Sequence, residues 1–581
     1  MLSIDQTLAE RIPWLDQHPL LRKPLVGMLE KLAHESRFNQ TLDHAGTALG
    51  FDFCERTLDY LGVSCRITER ERENIPVEGP LLVVANHPLG MVDAIALLQM
   101  IGSVRRDVRI LGNDVLAAVP QLGPLLLPVD VFGKGGASKM RGIFRSIEAG
   151  EVLVIFPAGE VSRMGASGVR DGKWSDGFAR IAMRTGVPVL PVHIAARNSA
   201  MFYGLSMLAK PLSTAMLPRE ATSGKQRVGF RIGKLVDAAE LKQRSGGSPE
   251  QAAKLMRRHV YRVGRGRDLV FGGQTPLAHP EPIERVVAEL EKAEFLAELS
   301  DGKRMLLLQG SQDSAALREI GRLREMTFRR VGEGTGKRRD LDAYDPYYEH
   351  LVLWDPKALR IVGSYRCGHG GRLIAERGMS ALYTSSLFDY SPALESRLAQ
   401  GLELGRSFIA PAYWRSRALD QLWQGIGLYL QRHSDLRYVF GPVSMSVSMP
   451  REAREWITVA HQHFFGVQGL AAARLPFVVP EATIETIRAE LEGLDPAAGL
   501  GMLKNRLDAL GTTLPVLYRQ YVDLVDPSGV QFLAFGEDPD FAGCVDGLVM
   551  LDLASLKPAK RSRYLGKNAW FSKRCAGRAH L

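Results

Sequence analysis

The chain has 581 residues, 45% of them hydrophobic and 24% charged, too long for one ordinary core and too apolar for disorder, so two or more globular domains are expected. Its formal charge of +10 suits an anionic partner such as lipid, nucleic acid or an acidic protein. No nucleic-acid recognition motif accompanies that charge, so nucleic acid is set aside.

Residues 1–75 read as mostly helical, with apolar positions at helical spacing at Leu20, Leu21, Leu25, Met28 and Leu29. The opening lacks a basic region followed by an apolar core, so no signal peptide is expected. From residue 80 strands and helices alternate: "GPLLVVAN" strand, "MVDAIALLQMI" helix, "DVRILGN" strand, "SKMRGIFRSIEAG" helix, "EVLVIFPAG" strand, "DGFARIAMRTG" helix, "VPVLPVHIA" strand. That alternation with continuous apolar strands predicts a largely parallel α/β sheet. No uncharged apolar run reaches the ~18 residues of a spanning helix. The nearest, "LAAVPQLGPLLLPV" at 116–129, holds three prolines and fits either a core segment or a piece dipping into a bilayer surface.

Turn composition over 264–284 places a domain boundary there, giving domains 1–284 and 285–581. The second half reads as helix and strand with antiparallel character. "RMLLLQG" is a strand, "SAALREIGRLREMTFRRV" a helix, and "YYEHLVLWDPKALRIVGSYRC" a hairpin turning at "DPK". "LELGRSFIAP" and "LRYVFGPVSM" are strands flanking the amphipathic helix "SRALDQLWQGIGLYLQRH". The five cysteines, Cys54, Cys65, Cys367, Cys544 and Cys575, show no metal-ligand spacing and read as reduced structural thiols, with no metal expected. The basic end, "KPAKRSRYLGKNAWFSKR", suits an anionic surface or a solvated tail.

Two groups of residues carry chemistry. In "NHPLGMVD", His87 follows a strand and Asp93 falls in the first turns of the next helix. A neutral imidazole can take a proton from an alcohol, and a carboxylate can hold the ring in the right tautomer. Alone, such a pair is most often a capped helix, but here more follows. "DVFGKGGASKMR" offers Lys134, Lys139 and Arg141 beside a glycine-rich turn suited to an anion. "FPAGEVSR" then brings Gly159, Glu160 and Arg163 directly after a strand, and "GVPVLPV" leads out of a helix.

In order and spacing these four blocks resemble the glycerolipid acyltransferase family. Five residues separate His87 from Asp93 where the commoner pattern has four, and Glu160 follows Gly159 instead of preceding it. Both departures resemble the hemolysin-like branch, associated with acylating aminoacyl lipids. The resemblance implies direct acyl transfer from a thioester: His87 deprotonates the acceptor hydroxyl and Asp93 orients His87. Lys134, Gly159, Glu160 and Arg163 would bind substrate, with Arg163 able to pair a carboxylate bidentately.

The second half carries Arg324 and Phe328, the acids Asp340, Asp342 and Asp345, then Arg366, and the trio Glu403, Arg406 and Phe408. Together these resemble the GNAT-like ornithine N-acyltransferases and the related acyl-homoserine-lactone synthases. Acylating an α-amine needs carboxylates to hold the ammonium and a base to take its proton. Glu403 and the Asp340–Asp345 group, Asp342 among them, are the candidates, and which of them is the base stays open. Arg366 or Arg406 can pair with the amino-acid carboxylate, with Arg324 and Asp345 beside them.

The fold expected from both resemblances is α/β, a glycerolipid acyltransferase-like domain followed by a GNAT-like domain. Fused, they resemble the bifunctional ornithine lipid synthases. One half would N-acylate ornithine with a 3-hydroxyacyl chain, and the other would O-acylate the resulting lyso-lipid. No cofactor is implied. The expected acyl donor is acyl carrier protein, because "YWRSRALDQ" lacks the glycine turn with which related enzymes hold coenzyme A and offers Arg415 and Arg417 instead. The protein is expected in the cytoplasm, peripheral on the inner face of the cytoplasmic membrane. The rival readings are a glutamine or glycine lipid synthase and an inactive hemolysin-like membrane-surface protein.

Overall fold

The computed structural model describes residues 34–566 except 113–118, 129–135, 166–167, 209–215 and 224–225, with residues 22, 26–27 and 30 before them. Lys134, Cys575 and the helical pattern at Leu20, Leu21, Leu25, Met28 and Leu29 lie outside the described residues. The chain forms two compact units, Met1–His279 and Pro280–Leu581. The division lies inside the turn-rich stretch 264–284. Glu281 pairs with Arg318 at 3.1 Å and Arg339 at 2.9 Å, which ties 280–284 to the second unit.

The first unit contains β1 (Ser64–Arg66), β2 (Leu81–Ala85), β3 (Val108–Gly112), β4 (Leu126–Pro128), β5 (Val152–Ile155), β6 (Arg163–Gly165), β7 (Gly168–Arg170), β8 (Val189–Ala195) and β9 (Arg227–Ile232). Seven strands make one sheet in the order β1-β9-β8-β2-β5-β3-β4, with β6 and β7 a separate hairpin. Every pair in the large sheet is parallel except β8 with β9. Central β2 is buried on both faces. Leu81, Val83 and Ala85 join the core that holds Val92 and Ile95 of the helix Met91–Gly102, while Leu82 and Val84 face Phe178, Ala182 and Met256. This two-sided burial is why these strands read as unbroken apolar runs. The ambiguous stretch at 119–128 is core, with Val119, Leu122 and Leu125 buried. β1 falls inside the stretch read as helical; its three residues pair with β9 at the sheet edge and are too few to show a period. Among the described residues no helix is long and apolar enough to cross a membrane.

The second unit contains β10 (Glu294–Glu298), β11 (Arg304–Gln309), β12 (Glu349–Asp355), β13 (Arg360–His369), β14 (Phe388–Tyr390), β15 (Gly401–Ile409), β16 (Tyr438–Met445), β17 (Ala471–Ala473), β18 (Val530–Asp538) and β19 (Cys544–Asp552). Eight of them form a sheet ordered β10-β11-β12-β13-β15-β16-β19-β18, antiparallel throughout except for β15 with β16. That parallel pair is joined only from Gly401 to Glu403, against Tyr438 to Phe440. Beyond those residues the strands part. The helix Ala315–Val331 starts on Ser314, whose hydroxyl accepts from the Leu317 amide at 3.0 Å, and stops at Gly332 with φ 78°. Its Phe328 packs edge-on to Phe541 in the same core as Phe408. The described part of the basic end is helical, with Arg563 exposed. Pro558–Leu565 is a helix lying on Ala418–Arg432, with Arg563 on Asp420 at 2.7 Å and Lys560 on Asp523 at 2.6 Å.

Candidate active sites

β2 delivers His87 at its carboxyl end, and Gly90, with φ 86°, turns the chain into the helix that carries Asp93. A side chain at Gly90 would be strained by that φ and would meet Val161 at 3.3 Å. Asp93 Oδ2 accepts the amides of Leu89 at 2.6 Å and Gly90 at 3.1 Å and lies 3.3 Å from His87 Nδ1. The same carboxylate thus shapes the turn and faces the imidazole. Burial pushes the Asp93 carboxyl above its usual range, against the pull of His87 and the two amides. The imidazole side chain is 18% exposed and the carboxylate 0%, so only the ring is open to a substrate. With Nδ1–H turned to Asp93, Nε2 is the nitrogen able to take a proton.

The backbone of His87 is held from elsewhere in the chain. Its amide donates to Asp171 at 3.2 Å, and its carbonyl accepts from the Ser162 amide at 2.7 Å. Asp171 also takes the Ser162 hydroxyl at 2.5 Å and the Trp174 indole at 2.8 Å. Phe156 lies tilted beside the imidazole, with ring centroids 4.2 Å apart. The third block therefore reaches the histidine through Ser162, a residue the sequence reading passed over; Asp171, 84 residues from His87, gave no local signal. Gly159 takes φ 66° after β5, and Arg163 at the start of β6 pairs with Glu160 at 3.6 Å. Arg141 is exposed on the helix Gly136–Glu148.

In the second unit three arginines and three aspartates from distant stretches meet in the interior. Arg324 pairs with Asp345 at 2.7 Å and Asp340 at 3.7 Å; Arg366 pairs with Asp342 at 2.7 Å and Asp345 at 3.4 Å. Arg406 lies 3.7 Å from both Asp340 and Asp342. A bulge aims Arg406. From Arg366 to Ser364 on β13 the chain advances two residues, while on β15 it advances three, from Gly405 to Phe408. Arg406 sits in that extra step with φ 49°, a left-handed conformation costly for a non-glycine residue. Against the cost of burial, Arg324 and Arg366 hold Asp345 well below the carboxylate range. Asp340 goes the other way, its carboxyl pushed up by burial despite Arg406 and Arg324. Asp342, with a side chain 20% exposed, is the most open of the three acids.

Glu403 joins this cluster through an aromatic residue. Arg366 lies over the rings of Tyr383 at 4.7 Å and Tyr348 at 5.2 Å, and the Tyr348 hydroxyl donates to Glu403. The carboxylate also accepts the Tyr383 amide at 3.1 Å, the Thr384 amide at 2.7 Å and the Thr384 hydroxyl at 2.6 Å. Four donors converge on it, and it is buried. Tyr348 and Tyr383 were not singled out in the sequence, where they look like ordinary core aromatics. Arg415 and Arg417 share none of these contacts. They lie exposed just before the helix Ala418–Arg432, Arg417 4.0 Å from Asp420.

Both units thus hold the residue types of acyl transfer, one at a strand end beside a His–Asp pair, the other in a sheet that parts at its centre. Residues 6–268 match the family described as "Acyltransferase", and 323–424 the family described as "Acetyltransferase (GNAT) domain". A glycine N(alpha)-acyltransferase of Phocaeicola vulgatus is 34% identical over 269 residues, covering 42% of this chain and 81% of that one. A lyso-glycine lipid O-acyltransferase of Bacteroides thetaiotaomicron is 30% identical over 213 residues, 36% of this chain and 77% of that one. An L-ornithine N(alpha)-acyltransferase of Brucella abortus is 33% identical over 132 residues, 22% and 46% of the two chains. The chain belongs to the acyltransferases of aminolipid synthesis, and it joins the N-acyl- and O-acyl-transferring kinds in one bifunctional polypeptide.

Proposed function

We propose that the second unit attaches a 3-hydroxyacyl chain to the α-amine of ornithine and that the first unit then acylates the new 3-hydroxyl, giving a two-chain lipid without phosphorus. The observation that carries the reading is the arginine–aspartate cluster beside the parted strands, where under-paired Arg406 and half-open Asp342 offer opposite charges to an amino acid. In the first unit His87 Nε2 takes the hydroxyl proton as the oxygen attacks a thioester carbonyl. Asp93 orients the ring and supports its cationic form. Lys134, Gly159, Glu160 and Arg163 hold the lyso-lipid, with Arg163 on its carboxylate. In the second unit Arg366 and Arg406 take the amino-acid carboxylate, with Arg324, Asp342 and Asp345 fixing their geometry. Glu403, occupied by four donors, orders the turn at Tyr383–Thr384 and is not the base.

The acyl donor is acyl carrier protein, met by Arg415 and Arg417. The protein acts at the inner face of the cytoplasmic membrane as a peripheral enzyme, with its positive charge toward anionic lipid. A glycine acceptor is the second reading, favoured by the larger share of the glycine N(alpha)-acyltransferase that this chain covers. The test is to express the chain in a host without amino-acid lipids and analyse its lipids by mass. A new phosphorus-free, ninhydrin-positive lipid with an ornithine headgroup is expected. A glycine headgroup overturns the acceptor, and absence of any new aminolipid overturns the function.

A further inference from the structure

A second set of acids stands near the parted strands, and none of the roles above uses it. Asp546 on β19 is opposite Ser444 on β16 and Gly536 on β18. Its side chain is buried, and its Oδ1 has no hydrogen-bond partner among the described residues. Glu333 follows Gly332 at the end of the helix Ala315–Val331 and is only partly buried. That corner is seated where β16 ends, because the Ser446 hydroxyl donates to the Gly332 carbonyl at 3.1 Å. Asp538 at the end of β18 accepts the Tyr383 hydroxyl at 3.0 Å, which links this set to the arginine cluster.

The groups that act on these two acids come from several elements. Asp546 feels Ser444 of β16, Asp538 of β18 and Arg406 of β15, and Glu333 feels Asp546. Tyr383, Tyr518 and Cys544 complete the surroundings, each with Asp546 among its neighbours. Burial, together with the like charge of Asp538, pushes Asp546 up to about 7, despite Ser444 and Arg406. Burial and then Asp546 push Glu333 up to about 7 as well. Ionising one of these two carboxyls opposes ionising the other.

Their placement gives the pair a use. Arg406 lies on the β15 side of the gap, and Asp546 lies beyond β16 within its electrostatic reach. β15 and β16 are last joined at Glu403 with Phe440, so Arg406 and Ser444, the cross-strand partner of Asp546, lie three and four residues beyond that pair on the two sides of the gap. In an α-amino acid one carbon separates carboxylate from amine, so an acceptor held by Arg406 has its amine at this gap. We propose that Asp546 and Glu333 are the proton-accepting pair of N-acylation, Asp546 taking the proton of the acceptor α-ammonium and Glu333 passing it to solvent. This rests on the reading of the second unit as an amino-acid N-acyltransferase. The step balances. The ammonium gives one proton to the pair, and the free amine attacks the thioester carbon. The C–N bond forms and the C–S bond breaks as the intermediate collapses. The second proton leaving nitrogen ends on the departing thiolate, giving amide and thiol.

The full chain and its Asp546→Asn and Glu333→Gln variants are compared for N-acylation over a pH series, with O-acylation of supplied lyso-lipid measured alongside. Asp546→Asn is expected to lower kcat by about 10²-fold or more, with KM for the acyl donor and O-acylation unchanged. Glu333→Gln removes the like charge, so the acid limb of the pH–rate profile should move to lower pH while the maximum falls. A structural role for Glu333 would not move that limb, and this variant carries the test if Asp546→Asn does not fold. Rates within threefold of wild type and an unmoved limb overturn the inference alone. A wild type that acylates no amino acid overturns the reading of the second unit and the inference with it.

Discussion

Asp340 is buried and the Arg406 side chain only 9% exposed, yet their nearest charged atoms stand 3.7 Å apart, and Arg406 Nε has no hydrogen-bond partner among the described residues. A guanidinium held in the interior by a left-handed backbone and long ion pairs is under-committed, and a planar carboxylate is the group that completes it. Arg406→Lys keeps the charge and loses the fork. It should raise KM for the amino acid by about tenfold or more while changing kcat less, since one good charge-assisted bond is worth about 1.5–3 kcal/mol. Steady-state N-acylation with varied amino acid checks this, and an unchanged KM would remove Arg406 from the carboxylate site.

His87→Ala should stop O-acylation and leave N-acylated lyso-lipid to accumulate in cells. Asp93→Asn keeps much of the turn but loses the ionic partner of the ring, so its O-acylation should fall while N-acylation holds. Thin-layer and mass analysis of the lipids separates the two products. Two-chain lipid at wild-type level from His87→Ala would show that another group takes the hydroxyl proton.

Replacing Glu403 by Gln puts an amide nitrogen among groups that all donate: the Tyr348 hydroxyl, two amides and the Thr384 hydroxyl. One buried donor or more goes unmet, at about 1–3 kcal/mol each. The second unit's melting temperature should drop, and N-acylation with it. The pH profile of the remaining activity should keep its shape, because a carboxylate that orders a turn does not set the titration. A shifted profile would reinstate Glu403 as the base.

The donor is tested by comparing 3-hydroxyacyl carrier protein with the matching coenzyme A thioester over a salt series. Arg415 and Arg417 are exposed, so their attraction for an acidic carrier is screened within about 10 Å at 0.1 M salt. The carrier reaction should be faster at low salt and lose its advantage as salt rises. Charge reversal at both arginines should do the same at constant salt. Equal rates from both donors at every salt concentration would count against a carrier.

Asp546 also makes stability depend on pH. Its folded value of about 7 lies above the ordinary 3.8, so the folded state keeps a proton that the unfolded state releases between the two. The stabilisation is full below about pH 4 and is lost as pH rises through about 7, on the order of 4 kcal/mol as an upper bound. Relative to Asp546→Asn, the wild type should therefore lose stability over that window and change little outside it. Calorimetry of both chains across the range reads this directly, and parallel curves would show that the acid is not held neutral.

Much of the architecture was legible because parallel strands buried on both faces write continuous apolar runs, as Leu81–Ala85 and Val152–Ile155 do. His87 and Asp93 were legible because one turn holds both. The acids and arginines of the second unit were visible as types, but their pairing depends on a sheet register that no short stretch encodes. The bulge that turns Arg406 inward left no mark in "LELGRSF", where a glycine precedes the strained residue instead of occupying it. Asp171, Tyr348, Glu333 and Asp546 were missed for a related reason. Each is ordinary in its own neighbourhood and acquires meaning only from a strand or turn far along the chain.

The division of the chain has a consequence for the cell. His87, Asp93 and the groups that support them all belong to Met1–His279, and the arginine cluster with its acids belongs wholly to Pro280–Leu581. The described residues of each site lie within its own unit, yet both units are translated from one message. The maker and the consumer of the lyso-lipid are thus fixed at one copy each, whatever the level of expression. A single-chain amphiphile that accumulates is a detergent, so only the relative turnover of the two sites sets how much of it the membrane must bear. With the roles proposed for them, residues such as His87 and Arg406 carry the selection on that ratio, and the control of two genes does not.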